Sequence, residues 1–193
     1  MKKLLLYFTF IIVCFQNVTF SENKISLKEG NDNAKIKMII FESMTCSHCG
    51  DFHREVYPEL KSKYIDKGIV KIEYKNFPLD LAALNASKIA HCKKGGGINV
   101  LHMLYQNQKD WVKGTNILEL NSNLKNLLIK KNININFEEC INDKEIEDFI
   151  LEERITGSTK YQIKSTPTLI INGDKFEKSL NFKNLDKKIK KML

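Results

Sequence analysis

Two cysteines separated by two residues, Cys46-Ser47-His48-Cys49, have the clearest capacity for chemistry in this chain. A thiolate is both a nucleophile and a leaving group. Two thiols at this spacing can close a disulfide and surrender it by exchange through a mixed disulfide. The motif follows an apolar run and opens a stretch of helical periodicity. Backbone N–H groups at a helix start stabilise an anion, so the position favours the thiolate of Cys46. His48, if protonated or donating a hydrogen bond, adds to that effect. Cys49, one turn on, is expected to be the more buried, resolving thiol. The plainer readings are a structural disulfide and half of a metal site. A tetrahedral metal site needs more ligands, and His48 and His53 have no second CxxC to join, so neither metal nor cofactor is expected. His91 and His102 fall in a helical region and read as surface or packing residues.

A second signal is Ser165-Thr166-Pro167-Thr168, late in the chain and just before an apolar run. An isolated X–Pro bond is usually trans. In an exported CxxC protein this one is expected to be cis and to lie beside the disulfide, with the Thr166 backbone turned toward an extended substrate.

These residues need elements to hold them. Lys35 to Phe41 reads as a buried strand. Cys46 to Lys67 is helical, with Phe52, Val56, Leu60 and Tyr64 four apart, a kink predicted at Pro58 and a stop at Gly68. Ile69 to Phe77 alternates as a strand does, while residues 22–34 are polar and read as a mobile lead-in. Beyond Pro78 come helical spacings with almost no strand runs. Thr168 to Ile171 is a strand, Asn172-Gly173 signals a hairpin, and Asn181 caps a last helix from Phe182 to Met192. The order predicts an α/β protein: a thioredoxin fold with a mixed central sheet and an inserted helical subdomain. The divisions are a signal peptide over 1–21, the first part of the fold over 22–79, the helical insert over 80–155 and the closing part over 156–193.

Two lysines before an apolar run from Leu4 to Phe15, then small and polar residues, have the layout of a secretory signal cut after Ser21. The run is short for a membrane span of roughly 20 residues. The chain carries 31 Lys and Arg against 23 Asp and Glu, a net +8. Without Lys2 and Lys3 the balance is 29 against 23, or +6. These charges are spread along the chain without interleaved aromatics, so nucleic-acid binding is not expected. Cys14 leaves with the signal, and an exported chain with four remaining cysteines suggests two disulfides. Three pairings are possible; the two-residue gap favours Cys46–Cys49 with a structural Cys92–Cys140.

The segments SMTCSHCGDFH (43–53), YKNFPLD (74–80), ASKIAHC (86–92) and YQIKSTPTLIINGDKF (161–176) together resemble the DsbA-like thiol:disulfide interchange proteins of the thioredoxin superfamily, over residues 30–192. The resemblance implies a periplasmic enzyme that oxidises thiols of reduced or unfolded exported proteins, with Cys46 nucleophilic, Cys49 resolving and Pro167 cis. It also implies reoxidation by a quinone-linked, DsbB-like membrane partner. Many relatives carry a buried acid six residues before the first cysteine. Ile40 stands there in this chain, and the acid is Glu42, a candidate proton relay together with Lys75. Thr166 stands where many strong oxidases have Val and many isomerases have Thr. The alternatives are an isomerase or reductase, or a non-catalytic chaperone or metal-binding module. About 14 residues between the cleavage site and the first strand leave no room for the dimerisation domain of known isomerases, so a monomeric oxidase is expected.

Overall fold

Alternating apolar residues along two seven-residue segments build the centre of the molecule, a computed structural model that describes residues 26–193. The signal peptide read over 1–21 and its cut after Ser21 lie outside the described residues. β2 (Ile36–Glu42) and β3 (Val70–Asn76) run parallel, Ile40 opposite Tyr74 and Glu42 opposite Asn76. Side chains alternate across a strand. Met38, Ile40 and Glu42 therefore share a face with Ile72, Tyr74 and Asn76, while Phe41 and Lys75 take the other. β4 (Thr168–Ile171) pairs antiparallel with β2, and β5 (Asp174–Lys175) with β4. Asn172 and Gly173 between them have φ of 49° and 93°, the left-handed pair that a tight hairpin turn requires.

The polar lead-in is not all mobile. Leu27–Glu29 forms β1, antiparallel to β3, and completes the mixed sheet in the order β1-β3-β2-β4-β5. Three residues are too few for a period-two pattern to register; pairing with the exposed edge of β3 makes the strand.

The helix after Cys46 is continuous but not uniform. α1 (Ser47–Asp51) passes into a π-helical segment, Phe52–Val56, then α2 (Tyr57–Leu60) and a second π-helical segment, Lys61–Ile65. Pro58 has no N–H for the carbonyl four residues back. The chain widens ahead of it, and the Tyr57 N–H bonds the Phe52 carbonyl five back. The kink predicted at Pro58 therefore takes the form of wide turns.

The insert comprises α3 (Leu81–Ala90), α4 (Ile98–Gln106), α5 (Gln108–Trp111), α6 (Ile117–Lys130), α7 (Phe137–Asn142) and α8 (Lys144–Lys160). Its last helix thus runs past the division at 155. Asp80, Asn116, Asn136 and Asp143 cap four of these helices by accepting from backbone N–H groups. Cys92, just beyond α3, is disulfide-bonded to Cys140 in α7, with Cα atoms 5.5 Å apart. The fully buried Lys88 of α3 donates to Glu147 of α8 at 2.7 Å. The main core lies between the insert, the α1–α2 helix and one sheet face; Phe41, Phe77, Ile163 and Ile170 form a smaller core on the other. α9 (Phe182–Lys190), capped by Asn181, closes the chain with Leu185 and Ile189 buried. Among the described residues no helix is long and apolar enough to cross a membrane.

Candidate active site

The turn from β2 into α1 sets Cys46 at the helix N-cap and Cys49 inside the first turn, fully buried. The N–H groups of Cys49 and Gly50 close that turn on the Cys46 carbonyl, each at 3.1 Å. Gln108, buried in α5, donates from Nε2 to the carbonyls of Met44 and Cys46, both at 2.8 Å. The insert thereby pins the backbone on which the motif sits. Thr45 Oγ1 donates to Asp80, the cap of α3, at 2.7 Å and fixes the same loop from the other side.

The two thiols, free in this structure, differ sharply in acidity. The Cys46 pKa is lowered to about 5. The Cys49 thiol contributes most by donating to the thiolate, opposed by partial burial and helped by Thr166 and by the backbone N–H groups of Cys49 and His48. Burial pushes Cys49 well above the ordinary thiol range, and the neighbouring Cys46 and Glu42 charges push it further. The Thr166–Pro167 bond is cis, and the Thr166 carbonyl accepts from Cys46 Sγ at 3.3 Å. The Thr166 hydroxyl is buried and unpaired while Cys46 is a thiol. Pro167, Phe52, Val56, Leu169, Phe176 and Phe182 line a groove beside the motif, with Asp51, Glu55 and Glu59 also on it.

Glu42 is 3% exposed at the end of β2, and burial raises its pKa well above the usual carboxyl value. Both its oxygens lie 3.0 Å from Nε2 of His53, which has no exposed surface. His53 Nδ1 is 2.9 Å from His102 Nδ1, and His102 Nε2 is 2.7 Å from Glu29 Oε1. Burial holds His53 down at about 3 and lowers His102 as well, favouring the neutral form of each ring. Burial acts to raise Glu29, but its hydrogen bond with His102, the electrostatic attraction of that ring, and the hydroxyls of Tyr57 and Tyr74 together outweigh it, and the carboxyl is held at about 2.

The expected site residues therefore divide. Cys46, Cys49, Thr166 and Pro167 come together, and Glu42 lies beneath them. The His48 side chain is 81% exposed and faces Asp51 at 3.7 Å; residue 48 reaches the thiolate through its backbone. Lys75, on the opposite sheet face from Glu42, binds Glu73 at 2.7 Å and Glu153 at 2.9 Å. His102 is neither a surface residue nor simple packing, because both of its nitrogens are engaged. Glu29 and Gln108 escaped the sequence reading, and His53 was weighed there only as a metal ligand. Only the buried face of the helix could have flagged His53, which follows Phe52 and precedes Val56.

The family model described as thioredoxin matches residues 22–191. A Rickettsia bellii protein named as a protein-disulfide oxidoreductase is 30% identical over 164 residues, which is 81% of this chain and 60% of that protein. The chain spans 56% to 64% of the length of the rickettsial relatives it matches. The crystal structure of alpha-DsbA1 from Wolbachia pipientis is similar at a TM-score of 0.76 and 29% identity, covering 88% of this chain and 91% of that one. BdbD of Bacillus subtilis, in its oxidised form, shares the fold at a TM-score of 0.70 and 20% identity, covering 86% and 92%. Since the family match takes in nearly all of the described residues, this chain belongs to the thioredoxin family.

Proposed function

We propose that the chain is a thiol–disulfide oxidoreductase that introduces disulfides into newly exported proteins. One observation carries the reading: Cys46 stands at the helix N-cap against the cis Thr166–Pro167 bond with Cys49 fully buried behind it, which holds the pKa of the outer thiol at about 5 and pushes that of its partner up. A stabilised Cys46 thiolate favours the reduced pair, and a pair that prefers to be reduced is an oxidant of other thiols. A substrate thiolate attacks Cys46 Sγ of the closed disulfide, and the S–S bond to Cys49 breaks. Cys49 leaves as a thiolate and takes a proton from Glu42, the buried acid beneath it whose own pKa burial raises. A second substrate thiolate attacks the mixed disulfide at the substrate sulfur, and Cys46 departs as the stabilised thiolate. The substrate loses two electrons and the pair gains them.

The groove floored by Phe52, Val56 and Pro167 suits an extended apolar segment beside Cys46. Of the two candidates, Glu42 rather than Lys75 is assigned the proton exchange with Cys49, because Lys75 lies on the opposite sheet face and is paired with Glu73 and Glu153. The site of action is the periplasm, reached through the N-terminal signal; the chain works as a monomer, and a quinone-linked membrane partner of the DsbB kind restores the disulfide. Oxidative refolding of a reduced, unfolded substrate tests the proposal. The oxidised protein is expected to form substrate disulfides stoichiometrically and Cys46→Ser to form none. Refolding yields that are the same with both would leave a holding chaperone instead.

A further inference from the structure

Glu42 poses a problem that the two cysteines do not solve. To resolve a mixed disulfide on Cys46, the Cys49 thiol must lose its proton to a base. Burial keeps Glu42 protonated, and a protonated carboxyl is no base. Its proton has to go elsewhere first, and Glu42 is itself shut away from water.

The four side chains beneath the motif provide a path. Two neutral imidazoles bridge two carboxyl groups through contacts of 3.0, 2.9 and 2.7 Å. One proton satisfies this chain in two ways. With the proton on Glu42, its O–H donates to His53 Nε2, His53 Nδ1–H donates to His102 Nδ1, and His102 Nε2–H donates to the Glu29 carboxylate. With the proton on Glu29, every donor and acceptor reverses. The two states differ in both ring tautomers and in no heavy-atom position. The first agrees with the opposite shifts of the two acids, Glu42 up and Glu29 down.

We infer that His53 and His102 conduct a proton between Glu42 and Glu29, so that each turnover of the Cys46–Cys49 pair exchanges its proton with water at the edge of the sheet. The inference rests on the oxidoreductase reading of that pair. Glu29 ends β1, its side chain is 13% exposed, and it lines a surface depression with Lys61, Asp66 and Gly68. That depression shares no residue with the groove beside Cys46.

The bookkeeping closes without rotating a ring. In reoxidation, the proton on Glu42 moves to His53 Nε2, that on His53 Nδ1 to His102, and that on His102 Nε2 to Glu29, which releases it to water. Glu42, now ionised, takes the Cys49 proton; the Cys49 thiolate attacks Cys46 Sγ, and the former partner leaves as a thiolate. In reduction, Cys49 leaves as a thiolate and takes the Glu42 proton. The chain, left polarised the other way, then carries one in from Glu29. Other polar and charged groups border the path. The Tyr105 ring stacks on His53 with centroids 4.1 Å apart, and Tyr57 stacks on His102 at 4.0 Å. Tyr57 and Tyr74 donate to Glu29 at 3.0 and 3.1 Å, and Lys61 stands 3.5 Å away. Arg54 next to His53 is occupied by Asp51 and the Tyr105 carbonyl. The stacked tyrosines hold the rings in plane, which favours conduction over ring flipping.

The test uses oxidised glutathione as the probe, so the relay is read independently of any protein substrate. Reduced protein is mixed with it, quenched with acid at intervals, and the Cys46–glutathione mixed disulfide is followed by mass spectrometry. Wild type is expected to resolve it quickly. His102→Ala should resolve it about 10²-fold more slowly, at the low end of the range of about 10²–10⁴ that positioned proton transfer contributes, and the adduct should accumulate. Added imidazole, filling the vacated space, should restore the rate in His102→Ala. The alkylation profile of Cys46 should keep its midpoint. Glu29→Gln, a neutral isostere at the partly exposed end, should slow resolution without rescue, and it carries the test if His102→Ala does not fold. Wild-type resolution by Glu29→Gln, or a slow His102→Ala that imidazole leaves slow, overturns the relay. Fast resolution by wild type with no oxidation of any protein would overturn the proposed function and leave the relay standing.

Discussion

The acidity of Cys46 comes from Cys49 and His48 within one helical turn and from Thr166 across the cis-proline loop, and it can be measured in the reduced protein. Thiolate absorbance near 240 nm in the reduced protein should rise with a midpoint near pH 5, and a midpoint in the ordinary thiol range would refute the assignment. His48→Ala should leave that midpoint within about half a unit, because an exposed ring is screened by solvent. Stability follows the same group. A thiol with a depressed folded-state pKa contributes stability that is fully present above its ordinary pKa and is lost as pH falls through the folded value. Reduced protein should therefore gain thermal stability over Cys46→Ala between about pH 5 and pH 9, and a gap that is constant or narrows with pH would contradict this. The CxxC motif was legible because its parts are adjacent and its chemistry is local. His53, His102 and Glu29 were not, because they meet only after a helix, the insert and an edge strand have packed together.

Elements with strong internal patterns were the readable ones. β2, β3 and β4 appeared as apolar runs or alternations, and Asn172-Gly173 foretold a turn whose backbone angles few other pairs adopt. β1 was missed since it owes its existence to a neighbour. Its end is set by Gly30, with φ of 96° and a backbone so close to β3 that a Cβ would sit 2.3 Å from the Val70 carbonyl oxygen. Gly30→Ala should cost more than about 1 kcal/mol and should also displace Glu29. Urea denaturation gives the first effect, and a folded variant of undiminished stability would show that β1 is not anchored there. Pro58 teaches a related lesson: a missing N–H is visible in sequence, but whether the chain bends or widens around it depends on what the helix packs against.

At the scale of the whole molecule, Gln108 fastens the insert to the fold at the motif, while Lys88 across α3 and α8 and the Cys92–Cys140 bond tie the insert to itself. The bond joins residues 48 apart, and loop closure of that length gives an upper limit of roughly 4 kcal/mol. Cys92→Ala with Cys140→Ala should lower Tm by up to about 16 °C for a protein of this size while the Cys46–Cys49 pair still exchanges. Calorimetry of the oxidised protein decides it, and an unchanged Tm would remove the staple from the account. The two-depression layout has a consequence for the size of client the molecule can serve. A bulky domain seated over Cys46 covers the front of the site and shuts out water there, yet the rear door at Glu29 stays open. If the relay operates, resolution of a mixed disulfide should then depend little on how much of the front face the attached group covers.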